Sequence, residues 1–391
     1  MINHYVSVMS RGGGGVVWVA VGLVGLRLAV LAALAWDHGG LVDAMCQFDC
    51  FWYERIGVAG YSSDTQWANL GSAPNWAFFP VYPLLLGGLT WLIGLLGLTG
   101  LPGRVSGMVL SNLFLIGLLV VGWRYLRERG VLAPAWLWCG FVLVLPHSFF
   151  FSAVYTEALF ALLSLGCLLA LRRDRPMLAA ACAALASATR PNGILLLPII
   201  IADRLRDIAL HWHDGDRPRL LGTAALAVAL APLGLSLYIA AQYYLTGDGL
   251  LFNHVQLHWR REWLGPLEWF WIGLQSWDWQ RFPLQPTHSY EAVWGLGGLV
   301  IAAWCARRRR WAEAWFLAAC ILLPASSGLD SLPRYVATNP VFLVAIFTLL
   351  MRLPPLTGVS ERLTGFAVLP ALAAAHVPLV LAWYRAWGGV F

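Results

Sequence analysis

The residue best suited to chemistry in this chain is Asp49, a carboxylate set among aromatic and apolar side chains. It lies in CQFDCFWYERIGVAGY, residues 46–61, between two long apolar runs. A charged group beside a bilayer costs free energy unless it has a partner or a task. A carboxylate in this position can accept the proton of a hydroxyl group, as a general base does. From the residues alone, pairing with Arg55 or capping of a helix explains Asp49 equally well.

Three further charged residues are candidates for the same site. Arg334 is suited to binding a phosphate, because the guanidinium fork matches phosphate oxygens, and snorkelling to the interface is its structural alternative. Arg27 lies within the first apolar run, where a charge is expensive. We expect it to pair with Glu157 or another buried acid, or to contact a bound phosphate group. Glu157 begins a predicted helix, and capping there with Thr156 is a sufficient structural explanation.

The composition places these residues in a polytopic α-helical membrane protein. The chain is 59% hydrophobic and 12% charged, with a mean hydropathy of +0.67. Many segments approach the roughly 20 apolar residues that cross a bilayer. We expect about nine to eleven membrane segments in one domain over residues 1–391. The net charge of +6 does not indicate nucleic-acid binding, because the arginines form short clusters between apolar segments.

The arginine clusters predict which loops face outward. Five clusters are expected on the cytoplasmic side: Arg124–Arg129, Arg172–Arg175, Arg204–Arg219, Arg307–Arg310 and Arg352–Arg362. The first outer loop, residues 37–76, and a Trp-rich loop, residues 242–291, then face outside. The short turns at Ser152–Glu157 and Ser326–Arg334 are also expected outside, so Asp49, Glu157 and Arg334 share the outer face. This arrangement requires that one of the segments 77–98 and 105–123 is short, tilted or re-entrant.

For several other residues the sequence predicts a structural role. Residues 177–189 and 194–201 form a broken hairpin, which places Arg190 away from the outer face. Cys46 and Cys50 are predicted to be packing residues, because neighbours on one helical turn rarely reach disulfide geometry. His147 is expected to be a core histidine. A metal site at His254 and His258 is only weakly indicated without a third ligand, and stacking of the acceptor is the simpler use of the nearby tryptophans, which are Trp259, Trp263 and Trp269.

Five motifs, in order along most of the chain, resemble the PIG-V family, the GPI mannosyltransferase 2 group and its bacterial relatives. They are FDCFWYERIGVAGY (48–61), NWAFFPVYPLL (75–85), SFFFSAVYTEALF (148–160), TRPNG (189–193) and SLPRY (331–335). The sequence departs from the family at Phe48, where tryptophan commonly precedes the aspartate. The resemblance implies a GT-C type glycosyltransferase fold with its catalytic carboxylate in the first outer loop.

The resemblance also implies an activity and its participants. A sugar, here mannose, is transferred from a polyprenyl or dolichyl phosphate to a lipid or glycan acceptor, on the outer face of a bacterial inner or plasma membrane. Asp49 becomes the catalytic base and Glu157 a second active-site acid, while Arg334 and Arg27 bind the donor phosphate. A single carboxylate base suggests inversion at the sugar. The aromatic candidates for substrate binding are Trp52, Tyr53, Tyr61, Tyr82 and Tyr335.

Two other classes of protein remain open from the sequence. A transporter or flippase of lipid-linked sugars would also place polar residues in the membrane, although here they concentrate at the outer ends of segments. A non-catalytic subunit of a glycosylation complex would not need Asp49. The sequence demands no cofactor and leaves a divalent metal open.

Overall fold

The structure, a computed structural model, is all-helical where it describes the chain. It describes residues 14–62, 73–98, 100–212, 217–259, 261–276, 288–352 and 361–385, and no strand occurs in these ranges. The α-helices in chain order are α1 (Gly15–Leu34), α2 (Leu41–Ala44), α3 (Cys50–Ala59), α4 (Val81–Leu95), α5 (Gly103–Glu128), α6 (Ala135–Val144), α7 (Glu157–Arg172), α8 (Pro176–Ser187), α9 (Leu197–Leu210), α10 (Arg217–Leu230), α11 (Leu233–Thr246), α12 (Leu251–His254), α13 (Pro266–Gln275), α14 (His288–Arg307), α15 (Trp311–Ala325), α16 (Leu332–Ala337), α17 (Pro340–Leu350) and α18 (Glu361–Tyr384). Four 3₁₀ helices join them: Ala73–Ala77, Ser148–Phe151, Pro191–Leu196 and Val255–Trp259.

Four helices of the described chain are long and apolar enough to cross a membrane. They are α1, α5, α14 and the Ala367–Tyr384 part of α18. The pair α10 and α11, bent by 42°, passes the same test as one broken span, and five further apolar helices have 10–17 residues. The predicted class, a helical membrane protein, is therefore supported. The count of nine to eleven segments and the single domain stay predictions.

Helix α4 accounts for the predicted irregularity between residues 77 and 123. It begins after Pro80, whose ring fixes the entry angle of the chain, and it ends at Leu95 after 15 residues. At 1.5 Å per residue its length is about 22 Å, less than the roughly 30 Å hydrocarbon core. Its successor α5 has 26 residues. The short member of the pair, which the arginine distribution requires, is thus α4.

Helices α8 and α9 form the predicted broken hairpin, joined by the 3₁₀ turn Pro191–Leu196. The turn packs against α8 so closely that a Cβ atom on Gly193 would lie 2.2 Å from the carbonyl carbon of Ala186. Only glycine permits this approach, because any side chain would collide with main-chain atoms. The close approach fixes the position of Arg190, the residue immediately before the turn.

The segment around α3 is held by a cluster of buried aromatic residues. Helix α3 buries Tyr53 and Ile56 and exposes Phe51 and Val58, as expected of an amphipathic helix at the interface. The buried face of α3 meets Phe150, Tyr155 and Trp383, among others, in one continuous cluster. The rigid cluster beneath α3 therefore positions the turn that carries Asp49.

Candidate functional site

Four charged residues from four separate segments meet at one point of the structure. Nη1 of Arg334 lies 3.0 Å from Oδ2 of Asp49, and Nη2 of Arg190 lies 2.5 Å from Oε1 of Glu157. A longer contact of 3.4 Å, between Nε of Arg334 and Oε1 of Glu157, joins the two pairs. We call these four residues, together with Tyr335, the outer charge cluster.

The backbone around Asp49 is bent to present its carboxylate. Phe48 has a positive φ of 47°, so the chain turns sharply just before α3. The amide of Asp49 donates a hydrogen bond to the hydroxyl of Tyr155 (3.0 Å), which in turn donates to the carbonyl of Gln47 (3.0 Å). The side chain of Asp49 makes no capping hydrogen bond. Capping therefore does not explain this residue, whereas an ion pair with Arg334 does.

The prediction that Cys46 and Cys50 merely pack is wrong, because they form a disulfide. Their Cα atoms are 5.1 Å apart, within the range that a disulfide spans. The prediction assumed one continuous helix, but α3 begins only at Cys50 and Cys46 lies before the turn at Phe48. The disulfide closes this turn around Asp49. Disulfides persist in oxidising compartments, which agrees with an outward-facing first loop.

The placement of Arg190 away from the outer residues is also wrong. The hairpin of α8 and α9 brings its guanidinium to Glu157, with 16% of the side chain exposed. The prediction assumed that cytoplasmic arginines at both ends keep the hairpin near that side. Instead the C-terminal end of α8 lies near the first turn of α7, since Arg190, three residues after α8 ends, pairs with Glu157.

Tyr335 lies between the two arginines of the cluster. The Tyr335 ring centroid lies 5.3 Å from Cζ of Arg190 and 5.1 Å from Cζ of Arg334. These distances are typical of cation–π contacts. Nη2 of Arg334 also donates to the Tyr335 hydroxyl at 3.3 Å. Burial raises the pKa of this hydroxyl, but Arg334, Arg261 and Arg190 outweigh burial and lower the pKa to about 8. The three arginines thus favour the phenolate form of Tyr335.

The two carboxylates of the cluster differ in access to solvent. The side chain of Asp49 is 30% exposed, whereas that of Glu157 is 0% exposed. Oε2 of Glu157 and Oγ1 of Thr156 are buried without a hydrogen-bond partner in the described chain, so the expected capping by Thr156 is wrong. Of these two carboxylates, only that of Asp49 is open to solvent. Glu157 instead supplies buried negative charge that holds both arginines.

Arg27 does not join this cluster. Its Nη2 donates to the main-chain carbonyl of Ser148 at 2.7 Å, and no ion pair of Arg27 occurs among the described residues. The expected pairing with Glu157 is therefore wrong, since Glu157 is taken by Arg190 and Arg334. The hydrogen bond ties α1 to the segment that leads into Glu157, which explains this buried charge structurally.

Of the aromatic candidates, Tyr335 contacts both arginines of the cluster, and Tyr53 lies close enough to Asp49, Arg190 and Glu157 to interact with their charges. Tyr82 is fully buried and donates to the carbonyl of Gly107, so it is a core residue. Tyr53 is buried, and its ring centroid lies 6.1 Å from that of Tyr155. Trp52 stacks on Phe78 with their ring centroids 5.8 Å apart. Tyr61 stacks on Trp76 with the ring centroids 4.5 Å apart, and its hydroxyl donates to the Phe78 carbonyl.

The histidines and tryptophans of the outer loops have mostly structural contacts. His147 is buried with Nε2 2.6 Å from the hydroxyl of Tyr290, which confirms a core role. His254 pairs with Asp248 at 2.6 Å, and His258 packs on Trp259, so these two histidines have separate partners. Trp259 packs on Phe78 and Trp269 donates to the Glu262 carbonyl, whereas Trp263 is 73% exposed.

Sequence reasoning missed two parts of this site, the arginine at 190 and the disulfide. The TRPNG motif was a signal for Arg190, since it stood among the motifs that resemble one family.

In the outer charge cluster two arginines face two carboxylates, an arrangement that disfavours a metal cation there. No protein-family model, curated protein or solved structure matches this chain.

Proposed function

We propose that this protein is a membrane glycosyltransferase of the GT-C type that takes a sugar from a polyprenyl phosphate at its outer face. The observation that carries the proposal is the ion pair between Asp49 and Arg334, with Asp49 partly open to solvent and Arg334 8% exposed. One group can accept a proton and the other can hold a phosphate. The choice of mannose rests on the resemblance to the PIG-V family.

The proposed reaction follows from the two groups. The hydroxyl oxygen of the acceptor attacks the anomeric carbon of the donor, and the bond from that carbon to the phosphate oxygen breaks. The polyprenyl phosphate leaves with the electron pair, and Asp49 takes the hydroxyl proton. One attacking oxygen and no enzyme nucleophile give inversion at the sugar.

Charge compensation links these two events. Before reaction the carboxylate of Asp49 neutralises Arg334 at 3.0 Å. Once Asp49 has taken a proton, its attraction for Arg334 falls, and the guanidinium is free to neutralise the charge that grows on the leaving phosphate. Arg190 and Glu157 act behind this pair by fixing Arg334 in position. In this proposal Glu157 is a positioning residue and not a second catalytic acid.

An apolar groove that includes Ala188 suits a donor with a long isoprenoid chain. Its volume is about 400 Å³, and it is lined by residues of α8 and α11, such as Leu237, together with Ala188, Tyr61, Trp76 and Pro80. Ala188 stands two residues before Arg190. A chain lying in this groove would therefore place its phosphate end near the arginines, while its apolar lining would replace lipid contacts.

The test is transfer of label from polyprenyl-phosphate-mannose by the purified full chain. Asp49→Asn should lower the rate at least a hundredfold, the usual contribution of a general base. Asp43→Asn is the matched control, because Asp43 lies in the same loop, is 57% exposed and pairs with Arg104. It should keep the wild-type rate. Full activity of Asp49→Asn would refute the base, and translocation of the donor without transfer would favour a transporter.

A further inference from the structure

A second group of polar side chains lies outside the outer charge cluster, at the first turn of α14. His288 and Glu291 are three residues apart on that turn, and Asp330 reaches them from the loop after α15. Nδ1 of His288 lies 3.0 Å from Oε2 of Glu291. One ligand atom from each of the three residues lies within 4.8 Å of the other two.

Among the described residues, no arginine compensates the charge of this group. The other buried acids, Glu157 and Glu313, each pair with an arginine at 2.5–2.9 Å. Within the described residues Glu291, with 12% of its side chain exposed, has only His288 as an ion-pair partner, and no arginine pairs with Asp330. Two carboxylates beside one imidazole therefore carry a net negative charge that a bound cation would balance.

The donor types indicate the kind of ion. One imidazole nitrogen and two carboxylate oxygens suit a divalent ion of intermediate softness, while Mg²⁺ and Ca²⁺ prefer oxygen ligands alone. Ligands at about 2.1 Å from a tetrahedral ion lie roughly 3.4 Å apart, so small side-chain rotations close the group around an ion. His288 and Asp330 are exposed, which leaves room for the rotation and for water ligands.

We propose that His288, Glu291 and Asp330 form a binding site for Zn²⁺ or Mn²⁺. The ion would join the start of α14 to the loop that runs into α16, and Asp330 stands four residues before Arg334. Metal binding would thus hold the segment that presents Arg334 and Tyr335. The proposal does not depend on the glycosyltransferase activity, because the site is defined by its own ligands.

The experiment is a titration of chelator-washed, full-length protein in detergent micelles with Zn²⁺ and with Mn²⁺, followed by calorimetry. We expect one ion per chain, and at least tenfold weaker binding for His288→Asn and for Asp330→Asn. His254→Asn is the matched control, because it removes another exposed histidine that pairs with a carboxylate, at 2.6 Å from Asp248. It should bind as the wild type does.

A second measurement needs no variant. Zn²⁺ should protect His288, but not His254, from acylation by diethylpyrocarbonate, with both sites read by mass spectrometry. Absence of stoichiometric binding by the wild type, unchanged affinity in the His288→Asn/Asp330→Asn double variant, or equal acylation of His288 with and without the ion would each overturn the site.

Discussion

Arg334 should be far more important for stability than an arginine with the same number of acidic partners at the surface. It is 8% exposed and contacts Asp49 and Glu157, so Arg334→Met leaves both acids with less compensation. Removing one partner of a buried ion pair costs about 3–5 kcal/mol. This cost applies to the contact of Arg334 with Glu157, which is fully buried. The contact with Asp49, which is 30% exposed, contributes about 1 kcal/mol, as a surface pair does.

A double-mutant cycle tests this assignment. We expect Arg334→Met to lower the free energy of unfolding by about 4 kcal/mol and Asp49→Asn by about 1 kcal/mol. The double variant should lose about 1 kcal/mol less than the sum, because the two residues share one interaction. The assay is unfolding by sodium dodecyl sulfate in mixed micelles, followed by the fluorescence of the 22 tryptophans.

Arg104→Met is the matched control for the cycle. Arg104 also contacts two acids, Asp43 and Glu54, but it is 35% exposed. Its replacement should cost less than about 1 kcal/mol, as for exposed ion pairs. Equal losses for Arg334→Met and Arg104→Met, or strict additivity in the cycle with Asp49→Asn, would refute the buried cluster.

Three further predictions concern the surroundings of the cluster. The pKa of Tyr335 is about 8 against a usual 10, so its phenolate forms above pH 8 and competes with phosphate for the arginines. Transfer should decline above pH 8, Tyr335→Phe should move that decline to higher pH, and identical profiles would contradict this role. Because the pKa is lower in the folded protein, Tyr335 contributes stability in full above pH 10 and loses this contribution as pH falls through 8. Tyr335→Phe should abolish this rise of the free energy of unfolding with pH. Reduction of the Cys46–Cys50 disulfide should cost about 2 kcal/mol and slow transfer, with the Cys46→Ser/Cys50→Ser variant as a control that reductant no longer affects. Gly193→Ala should cost about 3 kcal/mol through the clash with Ala186, whereas Gly88→Ala, with open space around it, should be neutral by the same assay.

Much of the fold class could be predicted from the sequence because hydropathy acts locally. A run of apolar residues must be a buried or membrane helix wherever it lies in space, and α1 occupies the first such run almost to its ends. The signal for the start of α7 at Glu157 was equally local, since this residue follows a short polar break after an apolar segment. The position of Asp49 just before a short amphipathic helix follows from the same kind of pattern.

The contacts of the site could not be predicted in this way. Asp49 and Arg334 are 285 residues apart, and nothing in either segment encodes which arginine meets which acid. Arg190 illustrates the difficulty, because arginine clusters assign the side of a loop but not how far a hairpin reaches into the protein. The disulfide depended on the positive φ of Phe48, which breaks the helix that the spacing of four residues suggested.

By itself the sequence determined a helical membrane protein with one conspicuous carboxylate just before a short amphipathic helix. Both follow from the transfer free energy of single side chains, which depends on residue type and neighbours along the chain. Tertiary structure alone decided that Asp49 pairs with Arg334, that Glu157 is shut away from solvent and that Arg190 completes the cluster. Such pairings depend on how helices distant in sequence pack together. The attraction between two charges is large only when they lie within a few ångströms in a buried site, and the packing sets both conditions.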